Sequence, residues 1–166
     1  MYTFEEWKKN LIIVRGGGDI ATGTIYKLYQ SRFSVLVLEI ANPSCIRRTI
    51  SFCEAVFDKK VEVEGVTAKR AESLEDAFAI YGQGQIPVMI DENGSMIQEV
   101  QPPVVVDAIL AKRNLGTKIT DAPAVIGVGP GFCAGKDVDA VIETQRGHNL
   151  GRVIYEGEAA PNTGIP

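Results

Sequence analysis

Leu11-Ile12-Ile13-Val14 is a β-branched run that breaks, after Arg15, into Gly16-Gly17-Gly18-Asp19-Ile20-Ala21-Thr22-Gly23. No other stretch narrows the choice of fold as far. A short, continuous apolar run that stops at glycines reads as a strand buried on both faces. Behind the glycines, Ala21, Ile25 and Leu28 fall at i, i+4 and i+7, one face of a helix that can lie on a sheet. Val35-Leu36-Val37-Leu38 then gives a second buried strand, closed by Glu39. Strand, glycine turn, helix and strand within about 30 residues make a βαβ unit, whose strands are parallel and whose crossover is right-handed.

Further along, Asn42-Pro43-Ser44 offers helix caps, and Ile46, Ile50, Cys53 and Phe57 recur at helical spacing, which predicts a second amphipathic helix over about 45–57. Val61 to Val63 and Val66 to Ala68 read as short strands, and Ser73 opens a short helix toward Tyr81. Ile86 to Ile90 and Ser95 to Ile97 flank Asp91-Glu92-Asn93-Gly94. Asn-Gly is a strong hairpin signal, so this predicts an inserted β-hairpin with Pro87 on an edge strand. Val104 to Asp107 and Ala124 to Val128 add two buried strands, and the short strand-like pieces Val138 to Glu143 and Arg152 to Tyr155 follow. The fold class is therefore α/β: a Rossmann-like, doubly wound, mostly parallel sheet with an inserted hairpin and a β-rich C-terminal segment. The expected division is a nucleotide-binding domain over 10–130 and an incomplete second module over 131–166. The hairpin would supply a pairing edge for a homodimer.

Composition closes off other classes. The 166 residues are 45% hydrophobic and 23% charged, enough for a core without disulfides or metal. A formal charge of -4 argues against a nucleic-acid binder that relies on a wide basic face. Apolar runs fall far short of the roughly 20 residues of a membrane helix. Met1 to Asn10 lacks the basic-then-apolar order of a signal peptide, so the chain reads as cytoplasmic. Cys45, Cys53 and Cys133 have no paired spacing and read as small buried residues, and a single histidine, His148, builds no multi-histidine metal centre. No metal is expected.

The chemistry gathers at the glycines. Gly16, Gly18 and Ala21 satisfy G-x-G-x-x-G/A between a strand and a helix, with Gly17 and Asp19 inside the turn. Small residues there let backbone and diphosphate approach, and N–H groups at the helix start favour anionic oxygen. Glu39, about 20 residues on, stands where an acid would accept ribose hydroxyls. Arg47 and Arg48 are candidates for neutralising phosphate, or a solvated helix face. Gly129 and Gly131, after another strand, would wall the opposite side of the same crevice. Cys133 is a candidate nucleophile or chalcogen carrier. Glu143, Arg146 and His148 form a polar cluster suited to acid–base work or to gripping an oxyanion, or else a polar turn. The plain structural reading of the first turn is a tight bend with no nucleotide.

Several strings together resemble the bacterial selenium-dependent molybdenum hydroxylase maturation proteins, related to the xanthine dehydrogenase accessory family. They are Val14 to Gly23, Leu38-Glu39-Ile40, Ile46-Arg47-Arg48-Thr49, Asp107 to Asn114, Gly129-Pro130-Gly131-Phe132, and Glu143-Thr144 with Arg146-Gly147-His148. The resemblance covers about 10–166. It implies a Rossmann-like maturation factor that binds a phosphorylated small molecule, either NAD(P), another nucleotide or the molybdenum cofactor, and that meets an apo-molybdenum hydroxylase. It also implies a continuation into a β-rich module similar to biotinyl/lipoyl-type folds, already under way where this sequence ends. Two other functions use the same turn: an NAD(P)-dependent oxidoreductase with His148 moving the proton, and a ligand-free docking scaffold.

Overall fold

The computed structural model describes residues 2–161, so the last residues of the expected C-terminal module lie outside it. A short helix, α1 (Phe4–Lys9), leads in. Thr3 caps it by accepting the Glu6 amide while Glu6 accepts the Thr3 amide, and Trp7 is fully buried.

The glycine-broken unit forms as expected: β1 (Leu11–Arg15), α2 (Asp19–Gln30) and β2 (Ser34–Glu39), with Ile13 in register with Leu36 in a parallel ladder. Next come α3 (Ala55–Asp58), the antiparallel pair β3 (Lys60–Val63) and β4 (Val66–Ala71), α4 (Leu74–Gly82), β5 (Ile86–Ile90) and α5 (Ser95–Val100). The chain then returns to the other side of β1 through β6 (Val104–Asp107) and β7 (Ala124–Val128). It ends with β8 (Cys133–Ala134), β9 (Ala140–Ile142), β10 (Val153–Ile154) and β11 (Gly157–Glu158). The main sheet has nine strands in the order β10-β9-β7-β6-β1-β2-β5-β4-β3. It is parallel from β9 through β4, with antiparallel edges at β3 and β10. The fold is thus α/β with a mostly parallel sheet of Rossmann-like kind, and β8 and β11 form a separate two-stranded sheet.

Alternation along the strands makes two cores. Leu11, Ile13, Leu36 and Val105 face α4, α5 and Trp7, whereas Ile12, Val14, Val35 and Val37 face α2, Phe52 and Val56.

Three expectations give way. The segment 45–57 is not one helix: two 3-10 turns, Arg48–Ile50 and Phe52–Glu54, precede α3, Ser51 between them is extended, and Ile46 is 98% exposed. The apolar spacing there did not report one buried face. The segment 86–97 is not a hairpin. The Asp91 carboxylate accepts the Ser95 and Met96 amides and starts α5 instead, with Gly94 left-handed at φ 71°. β5 lies inside the sheet, so no free edge for dimerisation exists there. Pro87 stands opposite Lys69 of β4, and the ladder to β2 begins only at Val88. A boundary at 130 would cut the sheet, since β9 pairs with β7. Of the cysteines, Cys53 is fully buried, as read, whereas Cys45 and Cys133 are half-buried.

Candidate functional site

Strand order decides where ligand chemistry belongs. The chain builds outward from β1 on the β2 side and then crosses back to β6, so the loops after β1 and β6 diverge at a topological switch point. Crevices outside the carboxyl ends of strands at such points are where ligands settle in open α/β sheets. A crevice of about 210 Å³ lies there. Arg15, Gly16 and Gly18 line it after β1, Glu39 after β2, Asp91 and Glu92 after β5, and Ile109 after β6. A larger hollow of about 480 Å³ lies at the amino ends of β2 and β5, against Tyr29 and Tyr81, away from this edge.

The three glycines have different duties. Gly16 takes φ 91°, donates its amide to Leu38 O, and abuts the chain after β6: a Cβ would stand 3.0 Å from Ala108 O. Gly17 donates to Glu39 Oε2, and its own carbonyl accepts the Cys53 amide. Only Gly18 opens onto space, with nothing within 4 Å of where a Cβ would sit. It is the N-cap of α2 with no side-chain cap, and neither its amide nor that of Asp19 meets a protein acceptor among the described residues. Ala21 is fully buried, which allows α2 to pack closely on the sheet.

The acid expected for a ribose is half engaged. Glu39 accepts from Gly17 N at 3.1 Å and from Ile40 N at 2.9 Å. Burial pushes its carboxyl above the ordinary range, and those two amides oppose the rise. The arginines are paired with protein. Arg47, 63% exposed, holds Asp19 at 3.2 Å at the first turn of α2, and Arg48 grips both oxygens of Glu54 and lies over the Phe57 ring. Neither lines the crevice.

Gly129 and Gly131 do not reach the crevice either. Gly129 donates to Ile142 O, and a Cβ on Gly131 would stand 2.6 Å from the Arg113 backbone, so both serve close packing against the chain after β6. Glu143 is buried and accepts the Gln145 amide at 2.7 Å and the Ala160 amide at 2.8 Å. Arg146 and His148 are exposed, and no hydrogen bond or ion pair joins them to Glu143 among the described residues. Cys133, on β8, donates its amide to Asp137 and lies apart from the crevice.

One residue escaped the sequence reading. Arg15 ends β1 and is only 6% exposed. Its Nη1 donates to Thr117 Oγ1 at 2.6 Å and stands 3.6 Å from Asp107 Oδ2, while Thr117 Oγ1 donates to the same Asp107 oxygen at 2.6 Å. The signal was a charged residue closing each of two adjacent apolar strands, Arg15 after Val14 and Asp107 after Val106, in register with each other.

With this geometry in place, the comparisons give one informative relative. The chain is 53% identical over 156 residues to "Uncharacterized protein YqeB" of Escherichia coli (strain K12). The aligned part is 94% of this chain but 29% of that protein, so the chain spans less than a third of the relative's length. No family model and no solved structure matches. Among the described residues, no helix is long and apolar enough to cross a membrane.

One outcome follows from a side chain outside the crevice. The amides of Ala160 and Gln145 hold the Glu143 carboxyl below its ordinary value of 4.5. A depressed carboxylate stabilises the fold above its unfolded pKa and loses that contribution as pH falls. Ala160 amide exchange is therefore expected to accelerate as pH drops from about 4.5, beyond the intrinsic pH effect, and Glu143→Gln is expected to flatten that dependence.

Proposed function

We propose that this chain is the nucleotide-binding part of an accessory protein for maturation of a selenium-dependent molybdenum hydroxylase. It would hold a nucleotide or the nucleotide-bearing molybdenum cofactor in the crevice beyond β1. The observation that carries this reading is the conjunction at the switch point: open space at Gly18, two α2 amides without protein acceptors, and a buried guanidinium on the same crevice. The hydroxylase and the selenium come from the resemblance alone. The site residues narrow to Gly18, Asp19, Glu39 and Arg15, with Gly16 and Gly17 shaping the turn.

A specific observation also favours the scaffold reading. The Gly16 and Gly17 amides are already bonded within the protein, as a purely structural bend requires. Calorimetric titration with NAD, NADP, AMP, CTP and molybdopterin nucleotides separates the two. We expect one of these to bind, and Gly18→Asp, which puts a carboxylate into open space, to weaken it at least about tenfold, or 1.4 kcal/mol. A folded Gly18→Asp protein that binds equally well, or an inert parent, would sink the crevice reading.

A further inference from the structure

Arg15 is a buried cation with donors to spare. Thr117 and Asp107 hold its Nη1 end, and the second Asp107 oxygen accepts the Ile109 amide at 3.1 Å, so the clamp is itself fixed. Nε and Nη2 meet no protein acceptor among the described residues, although the side chain is buried and lines the crevice. These donors are open to the crevice, and the Nε–Nη2 edge of a guanidinium matches two oxygens of a phosphate or carboxylate.

The remaining charges are of the opposite sign. Glu39, Asp91 and Glu92 line the same crevice, and each already accepts at least one backbone amide: Gly17 and Ile40, Ser95 and Met96, and Ala41 respectively. One guanidinium, shared with Asp107, faces three further carboxylates. A ligand would therefore set one phosphate on the guanidinium and its hydroxyl or amine donors on the acids, with the rest of it outside the crevice. The volume agrees: about 210 Å³ is below the roughly 300–1,000 Å³ usual for pockets that enclose a whole drug-sized ligand.

We propose that Arg15 anchors a phosphate group of the crevice ligand through Nε and Nη2. This rests on the crevice reading above and goes on to name the charged group and the residue that takes it.

The test uses the unmodified protein first. The ¹⁵N-detected Arg15 Nε–H signal is followed during titration with inorganic phosphate at constant ionic strength, then with AMP and with NAD. The expected result is a saturating shift with phosphate, and a shift of the same signal with at least one of AMP and NAD. Arg15→Lys, which keeps the charge but loses the fork, should lower AMP affinity about tenfold while leaving adenosine binding unchanged. An Arg15 signal that phosphate does not move overturns the anchor. A phosphate response without binding of any nucleotide removes the nucleotide reading and leaves the anchor standing, whereas nucleotide binding with Arg15 Nε unmoved does the reverse.

Discussion

Gly16→Val is expected to lower the unfolding free energy by about 2–6 kcal/mol, a large share of the roughly 5–15 kcal/mol of an ordinary domain. Two costs add. A β-branched residue would have to hold φ 91°, and its Cβ would meet Ala108 O and Ile109 Cα at 3.0 Å, both backbone atoms that cannot swing aside. Gly18→Ala is the matched control. It sits at φ -65° with open space around it and is expected to change stability by less than about 0.5 kcal/mol. Urea denaturation of both variants checks the contrast, provided the m-values stay the same. Equal effects at 16 and 18 would mean that the turn is not divided into a packing glycine and an open one.

Asp107→Ala is expected to cost about 3–5 kcal/mol, because it strands Arg15 as a buried, uncompensated charge and removes the acceptor of the Thr117 hydroxyl. The pair as a whole need not stabilise the fold. Taking two charges out of water is costly, and an apolar replacement of both often recovers the loss. The double variant Arg15→Met, Asp107→Leu is therefore expected to be more stable than Asp107→Ala alone, and to have lost any response to phosphate. Chemical denaturation measures the first effect and a thermal shift in phosphate against chloride the second. A cost below about 1 kcal/mol for Asp107→Ala would show that the Arg15 charge reaches solvent and is not held for a ligand.

The first unit was legible because its signals are local. Val14 and Val35 belong to uninterrupted runs, Gly16 takes a left-handed turn, and Ala21 and Ile25 share a helix face, all within one stretch of chain. Asn93-Gly94 misled because the hairpin rule weighs the turn dipeptide and not the carboxylate before it. Asp91 captured two amides and made the turn a helix start. The 45–57 segment misled because Ile46 and Phe57 supply helical spacing without burial. Arg15 was missed because its hydroxyl partner, Thr117, lies 102 residues away, and no local pattern marks a contact of that range. Glu39 was found at the predicted strand end, but only coordinates show that its carboxylate also holds the Gly17 amide.

Amide chemical-shift mapping during titration with AMP and CTP bears most directly on the central claim. The account predicts the largest shifts at Gly18 and Asp19, followed by Glu39, Ile40 and Ile109, with little change at Gly129, Gly131, Arg146 or His148. Shifts centred on the loop from Glu143 to His148, with Gly18 and Asp19 unmoved, would contradict it.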